Sequence, residues 1–322
     1  MKNTVLFEIV QNDLLALENE LLSIVHSPAD LITDISSHLV RAGGKRLRPA
    51  LYLISARSAN VAIDKLLPVA AAIELIHMAT LVHDDVIDNA TTRRGIPTAN
   101  TRWGNHKSVL SGDYLFAKAF SIIATQVDSR MLKVLTDVIC SMCEGEIMQL
   151  KDAFNPEQSE NEYFVRIAQK TADFIAASCE LGGISAQLSP EDIRALRQYG
   201  YSIGMAFQIT DDILDVTSSS EQIGKPAGND LRQGIITLPI IYALANGTHS
   251  TELRNIILAR DMSDEQVKRG LAIIHDSEAV EYSFRYVEKY LQAARKVLPA
   301  SLPRDAQETL MSIADFVGLR NS

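Results

Sequence analysis

Apolar residues recur at helical spacing along almost the whole chain. Between Val5 and Val25 they stand at Leu6, Ile9, Val10, Leu14, Leu17, Leu21, Leu22 and Val25, the stripe of an amphipathic helix. Pro28 opens a second predicted helix that ends near Arg41, where Gly43-Gly44 breaks the pattern. A third runs from about Arg46 to Ala59 and a fourth, the most apolar, over roughly 64–89. A polar loop from Asn89 to Asn105 contains Gly95, Pro97 and Gly104. Further helices are predicted at about 107–126, 130–151, 159–188, 190–216, 236–246, 251–259, 263–275, 278–298 and 304–318. β-branched alternation is scarce, so no strand is expected and the class is all-α. No Pro/Gly/Ser linker or break in composition divides the 322 residues, which predicts a single domain over 1–322.

The fourth helix ends in Leu81-Val-His-Asp-Asp-Val-Ile-Asp88. Asp84 and Asp88 are four apart, so their carboxylates point the same way one turn apart. Like charges at that spacing repel, and acid at a helix C-terminus opposes the macrodipole. A polyvalent cation reverses both penalties, and hard oxygens suit Mg²⁺, which takes one or two carboxylates with waters and substrate phosphates. A solvated acidic helix end explains one such cluster equally well. The pattern recurs, however, in Gln208-Ile-Thr-Asp-Asp-Ile-Leu-Asp215, at the end of another apolar run. Basic residues and glycine follow each copy, Arg93-Arg94-Gly95 and Gly224-Lys225-Pro226. Two matched clusters read as two walls of one site for Mg²⁺ and diphosphate.

Gly43-Gly-Lys-Arg-Leu-Arg-Pro49 places Lys45, Arg46 and Arg48 where a helix is predicted to start. Backbone N–H groups at a helix N-terminus favour an anion, and arginine adds bidentate phosphate binding. Lys45 and Arg48 are expected on one face, being three apart. A basic surface turn is the plain alternative, which the two aspartate clusters make less attractive. His77 lies two turns before Asp84 on the same face, and Lys170-Thr171 interrupts an apolar helix. Gln208 sits on an apolar face one turn before Asp211, and a buried amide needs a partner. The long polar stretch Val216 to Gly234, with Lys225 and Asp230, reads as a lid beside the carboxylates.

Composition changes this picture little. A net charge of −9 lacks the basic footprint of a nucleic-acid binder, so an anionic substrate must meet local cations or metal. Three cysteines, an odd number, suit a reducing cytoplasm better than a disulfide framework. Cys140 and Cys143 lack a second pair and are expected to be small buried helix residues. No signal-peptide core is visible at the N-terminus, and Glu74 and His77 interrupt the apolar run before Asp84, so no stable membrane anchor is expected. There is no Ser-His-Asp or Cys-His nucleophile arrangement, Walker loop or dinucleotide-binding glycine motif. Metal and cations around a diphosphate, at the mouth of an apolar helical bundle, suit ionisation of a carbon–oxygen bond.

At this point the chain resembles the trans-prenyl diphosphate synthases over most of its length. The resemblance rests on G-G-K-R-L-R-P at 43–49, H-D-D-V-I-D at 83–88 with R-R-G at 93–95, K-T at 170–171, F-Q-I-T-D-D-I-L-D at 207–215 and G-K-P-A-G-N-D-L at 224–231. It implies a bundle of antiparallel helices around a deep central cavity. It implies Mg²⁺ at Asp84, Asp85, Asp88, Asp211 and Asp215, with an allylic diphosphate such as farnesyl diphosphate held by Arg93, Lys170 and Lys225. Lys45, Arg48, His77 and Arg94 would hold isopentenyl diphosphate, and Thr171 and Gln208 would face the developing allylic cation. A homodimer, or a heterodimer with a small regulatory subunit, would be the assembly.

One position departs from the family pattern: Ile235 stands where a lysine is common, removing one expected cation. The catalytic halves of two-component hexaprenyl and heptaprenyl synthases look similar there. Thr80, Ala79 and Ile76 precede Asp84 by one to two turns, and bulky aromatics near the first two of these positions stop growth in short-chain relatives. The small residues at 79 and 80 favour a product of six or more isoprene units. A geranylgeranyl synthase is the rival reading. A terpene cyclase shares the fold but needs no second diphosphate site, and a non-catalytic subunit would carry degraded clusters.

Overall fold

Helical periodicity is realised throughout the computed structural model, which describes residues 6–57, 61–126, 128–217 and 228–319. The helices are α1 (Gln11–Ile24), α2 (Asp30–Arg41), α3 (Leu47–Ala56), α4 (Ile63–Ile87), α5 (Ala99–Trp103), α6 (Asn105–Gln126), α7 (Ser129–Lys151), α8 (Glu160–Ile167), α9 (Asp173–Ser185) and α10 (Pro190–Thr217). They continue as α11 (Asn229–Arg232), α12 (Leu238–Asn246), α13 (Ser250–Leu258), α14 (Asp264–His275), α15 (Ala279–Val297) and α16 (Arg304–Leu319). Besides the short helices α5 and α11, which fall in stretches expected to be loop, two features depart from the expected string. The loop after α4 contains a two-stranded antiparallel hairpin, β1 (Thr92–Arg93) with β2 (Ile96–Pro97). The helix expected over 159–188 is interrupted by a π-helical turn at Ala168–Ala172.

The chain divides into two units, one formed by Met1–Thr136, Ala177–Leu196 and Pro299–Leu310, the other by Asp137–Ala176, Arg197–Leu298 and Met311–Ser322. In the first unit α3 is buried from Pro49 to Ala56, and α4 buries residues on every side, among them Val69, Ile73, Leu75, Ile76 and Met78. A helix apolar all round belongs at a core centre. By length and hydropathy α4 matches a membrane span, but 67% of its most apolar window is buried within the protein, as in a soluble core helix. In the second unit a reciprocal capping box starts α8: Ser159 Oγ accepts from Glu162 N–H, and Glu162 accepts from Ser159 N–H. Cys140 and Cys143 are exposed on α7, against the expectation that they are buried. Among the described residues no group of three His, Cys, Asp or Glu is arranged to close a metal shell by itself.

Candidate active site

In the first unit the site grows from the C-terminal end of α4. Asn89 takes a left-handed conformation (φ 50°) and stops the helix. Asn100 donates to the carbonyls of Asp85 and Ala90 at 3.2 and 3.0 Å, and Thr98 donates to Ala90 at 2.7 Å, satisfying groups that a helix end leaves open. The three aspartates then differ. Asp84 is half-buried and Asp88 exposed, whereas Asp85 is only 3% exposed. Arg93 donates to Asp85 Oδ1 through Nε at 2.8 Å, and its Nη2 stands at 2.7 Å from the same oxygen. Asp84 and Asp88 thus keep surface one turn apart, while Asp85 fixes Arg93.

The hairpin explains why two arginines and a glycine follow the aspartates. Arg94 and Gly95 form its two-residue loop, both at positive φ (54° and 79°), the backbone of a type I′ turn. The turn directs consecutive arginines to different places. Arg93 goes to Asp85, while Arg94 lies on the Gly43–Pro49 turn, so close that a Cβ on Gly44 would stand 2.5 Å from its Nη1. Arg48 donates from Nη1 to His77 Nε2 at 3.2 Å. Arginine only donates, so the imidazole proton lies on Nδ1. Burial, then the charges of Arg48 and Arg94, push His77 well below its usual 6.5, so it is neutral. Burial also lowers Arg48 to about 10; Glu74 opposes that shift and Arg94 adds to it.

One local expectation is corrected. Helix α3 begins at Leu47, and Arg46 before it is left-handed (φ 48°). Lys45 thus stands in the turn outside the helix, so the shared helical face predicted for Lys45 and Arg48 does not form. Ile76 and Ala79 are fully buried, and of the three small-or-apolar positions before Asp84 only Thr80 has open surface.

In the second unit the π turn sets the geometry. Single π turns recur at functional sites because they shift one residue out of helical register. Two glycines flank it. A Cβ on Gly204 would stand 2.5 Å from Ala172 Cα, and one on Gly145 would stand 3.0 Å from Lys170 N. Lys170 leaves the turn to pair with Glu146 Oε2 at 2.6 Å. Thr171 donates to Gln208 Oε1 at 2.8 Å, and Gln208 donates from Nε2 to Asp212 Oδ1 at 2.8 Å. Tyr163 donates to Asp212 Oδ2 at 2.7 Å. Burial raises Asp212 to about 6, against the opposing effect of these two hydrogen bonds. Asp211 and Asp215 are half-buried. Asp215 accepts from the N–H groups of Asn229 and Asp230 at 3.1 and 3.0 Å, capping α11. Ile235 is half-buried and brings no cation, and its N–H donates to the Asp230 carbonyl at 2.8 Å. Lys225, and most of the polar stretch expected to act as a lid, lie outside the described residues.

Several residues of this arrangement are not among the candidates drawn from the sequence: Glu74, Asn100, Glu146, Tyr163 and Arg166. Arg166 is 2% exposed and donates to the Ile236 carbonyl at 2.7 Å. Only Glu74 had a visible signal, as an acid interrupting the apolar run of α4. The donor set fits a hydrated Mg²⁺: hard carboxylate oxygens, with fewer protein ligands than a closed site needs.

The polyprenyl synthetase family model matches residues 29–274. Heptaprenyl diphosphate synthase component 2 of Geobacillus stearothermophilus is 39% identical over 100% of both chains. Among solved structures, a decaprenyl diphosphate synthase from Rhodobacter capsulatus has a TM-score of 0.92 at 35% identity, covering 99% of each chain. A heptaprenyl diphosphate synthase from Staphylococcus aureus has a TM-score of 0.90 at 34% identity, covering 97% of this chain and 99% of its own. The helical fold, the motif order and these full-length matches place the chain in the polyprenyl synthetase family, as a prenyl-transferring enzyme.

Proposed function

We propose that the protein extends an allylic diphosphate, such as farnesyl diphosphate, with successive isopentenyl diphosphates to a long-chain trans-polyprenyl diphosphate. One observation carries this reading: the hairpin directs Arg93 to the aspartate motif and Arg94 to the G-G-K-R-L-R-P turn. Consecutive cations thereby serve two phosphate-binding groups, as a reaction joining two diphosphates requires. The family match spans residues of both units, which supports a single synthase domain over the chain.

Asp84, Asp85, Asp88, Asp211 and Asp215 are the carboxylates assigned to Mg²⁺, with Asp85 acting through its grip on Arg93. The metal, when bound, neutralises the diphosphate as it leaves. Arg93, Lys170 and Lys225 hold that leaving group, and Lys170 exchanges Glu146 for it. Lys45, Arg48, His77 and Arg94 hold isopentenyl diphosphate. Heterolysis of the allylic C–O bond leaves a cation, faced by the oxygen dipoles of Thr171 and Gln208, which their mutual hydrogen bond keeps oriented. The terminal alkene carbon of isopentenyl diphosphate then bonds to the allylic C1, and the released diphosphate takes the proton that restores a double bond. Product length is assigned to six or more units, the relatives named above supporting that class. The word "component" in the Geobacillus name supports a two-subunit assembly as an alternative to a homodimer. The buried character of α4 and the odd cysteine count support a cytoplasmic location.

The test is product analysis. Purified protein is incubated with Mg²⁺, labelled isopentenyl diphosphate and farnesyl diphosphate, and the dephosphorylated alcohols are sized. A ladder ending at six or more units is expected. A stop at four units would make it a geranylgeranyl synthase, and binding of diphosphate without product would show that a second subunit is needed.

A further inference from the structure

The middle cation of the basic turn faces away from the chemistry assigned to its neighbours. Lys45 is exposed and Arg48 reaches His77, but Arg46 is 7% exposed and turned inward. Its guanidinium makes four hydrogen bonds to three helices. Nε and Nη2 donate to the two carboxylate oxygens of Glu18 on α1 at 2.6 and 3.0 Å. Nη1 donates to Glu74 Oε1 on α4 at 2.5 Å, and Nη2 also donates to the Val40 carbonyl on α2 at 2.9 Å. The Glu18 contact is the two-pronged fork that arginine alone provides.

The backbone at Arg46 is equally unusual. It is left-handed, at φ 48° and ψ 34°, and a residue with a Cβ holds that conformation only when its surroundings enforce it. The four bonds are that enforcement. The kink they hold decides where α3 begins, and so where Lys45 in the turn and Arg48 in the first turn of α3 stand. Glu74 has a second part in this. It is 3% exposed, and its Oε2 has no hydrogen-bond partner among the described residues. Its charge favours the charged forms of Arg46, Arg48 and Arg94. Its ion pair with Arg46 thus puts a buried acid beside the clustered cations and the neutral His77.

We infer that Arg46 and Glu74 are positioning residues for the isopentenyl diphosphate site: they touch no substrate and set the stance of Lys45 and Arg48. This rests on the assignment of Lys45 and Arg48 to that diphosphate. A buried ion pair by itself argues weakly for a role in stability, since apolar replacements often do as well. The left-handed backbone, held by bonds from three helices, is what gives this pair a role in geometry.

The test is a KM-against-kcat comparison on purified full-length variants whose folding is checked by thermal melting. Lysine at 46 keeps the charge but loses the fork, so Arg46→Lys should raise the KM for isopentenyl diphosphate about tenfold. The KM for the allylic diphosphate and kcat at saturation should stay within about threefold. Glu18→Ala removes two of the four bonds from a partly exposed partner and should raise the same KM by a smaller factor, which keeps the test decisive if Arg46→Lys folds poorly. Arg48→Ala is the reference. It should raise that KM by itself, and Arg46→Lys added to it should raise it by a smaller factor than in the parent, since the part of its effect that runs through Arg48 is already lost. If Arg48→Ala raises the KM while Arg46→Lys and Glu18→Ala do not, or lower all parameters together with the melting temperature, the positioning role is overturned and the diphosphate assignment stands. If Arg48→Ala leaves the KM unchanged, the assignment itself fails and the inference falls with it.

Discussion

Tyr163 donates its phenol proton to Asp212 across 2.7 Å, from a ring with no exposed surface to a carboxylate 4% exposed. The bond makes the middle aspartate of the second motif an internal anchor. Through Asp212 it holds Gln208, and through Gln208 it holds Thr171. Tyr163→Phe leaves one carboxylate oxygen of Asp212 without this donor, so it should cost about 1–3 kcal/mol of stability. It should also lower kcat, because Gln208 loses its fixed orientation. Denaturant melts and steady-state kinetics on the same preparation check both.

Asp84 and Asp88 keep surface that Asp85 lacks. Asp84→Ala should therefore leave the melting temperature close to that of the parent while kcat falls by about 10²-fold or more, the scale of losing a main electrostatic contact in the transition state. Near-parent turnover would remove Asp84 from the metal site. Excess EDTA should likewise stop turnover of the parent protein, with Mg²⁺ restoring it.

Thr80 is the open position before the first aspartate motif, whereas Ala79 is packed at 0% exposure. Thr80→Phe should shorten the product with little effect on stability. Ala79→Phe must also displace core atoms and should destabilise by about 1–3 kcal/mol. Chromatography of the alcohols from both variants separates the cases; an unchanged ladder from Thr80→Phe would put the floor of the product cavity elsewhere.

Gly204 lies where a side chain would meet the π turn, its Cβ 2.5 Å from Ala172 Cα. Gly204→Ala forces backbone apart, with a cost of about 1–3 kcal/mol as for other overpacked sites. The displaced element carries Lys170 and Thr171, so kcat should fall as well. A variant with parent kinetics and parent stability would show that the turn tolerates displacement.

His77 is neutral because burial and then the charge of Arg48 hold it well below 6.5. Below that value the unfolded chain takes up a proton that the folded chain refuses. The contribution of His77 to stability is therefore complete above about pH 6.5 and is lost as the pH falls below it. His77→Gln should flatten the decline in melting temperature between about pH 6.5 and pH 5. An unchanged pH profile would contradict a neutral His77.

The amino-acid sequence determined most of the helices, because apolar spacing is local and each helix needs only its own stripe. It also determined the two aspartate motifs and placed R-R-G in a loop after the first, but not the hairpin that R-R-G closes. It did not determine which charged groups face the reaction and which face the core. Arg46 and Arg48 look alike in the run at 43–49, yet one is held by Glu18 and Glu74, each 28 residues away, and the other by His77. The three aspartates of each motif look alike too, until Arg93 takes Asp85 and Tyr163, 49 residues distant, takes Asp212. The π turn and the exposed face of Cys140 and Cys143 likewise follow from what packs against a helix, which periodicity does not contain. Only tertiary structure brings distant donors to a particular carboxylate, and burial at that point decides whether a charge is an anchor or an open ligand.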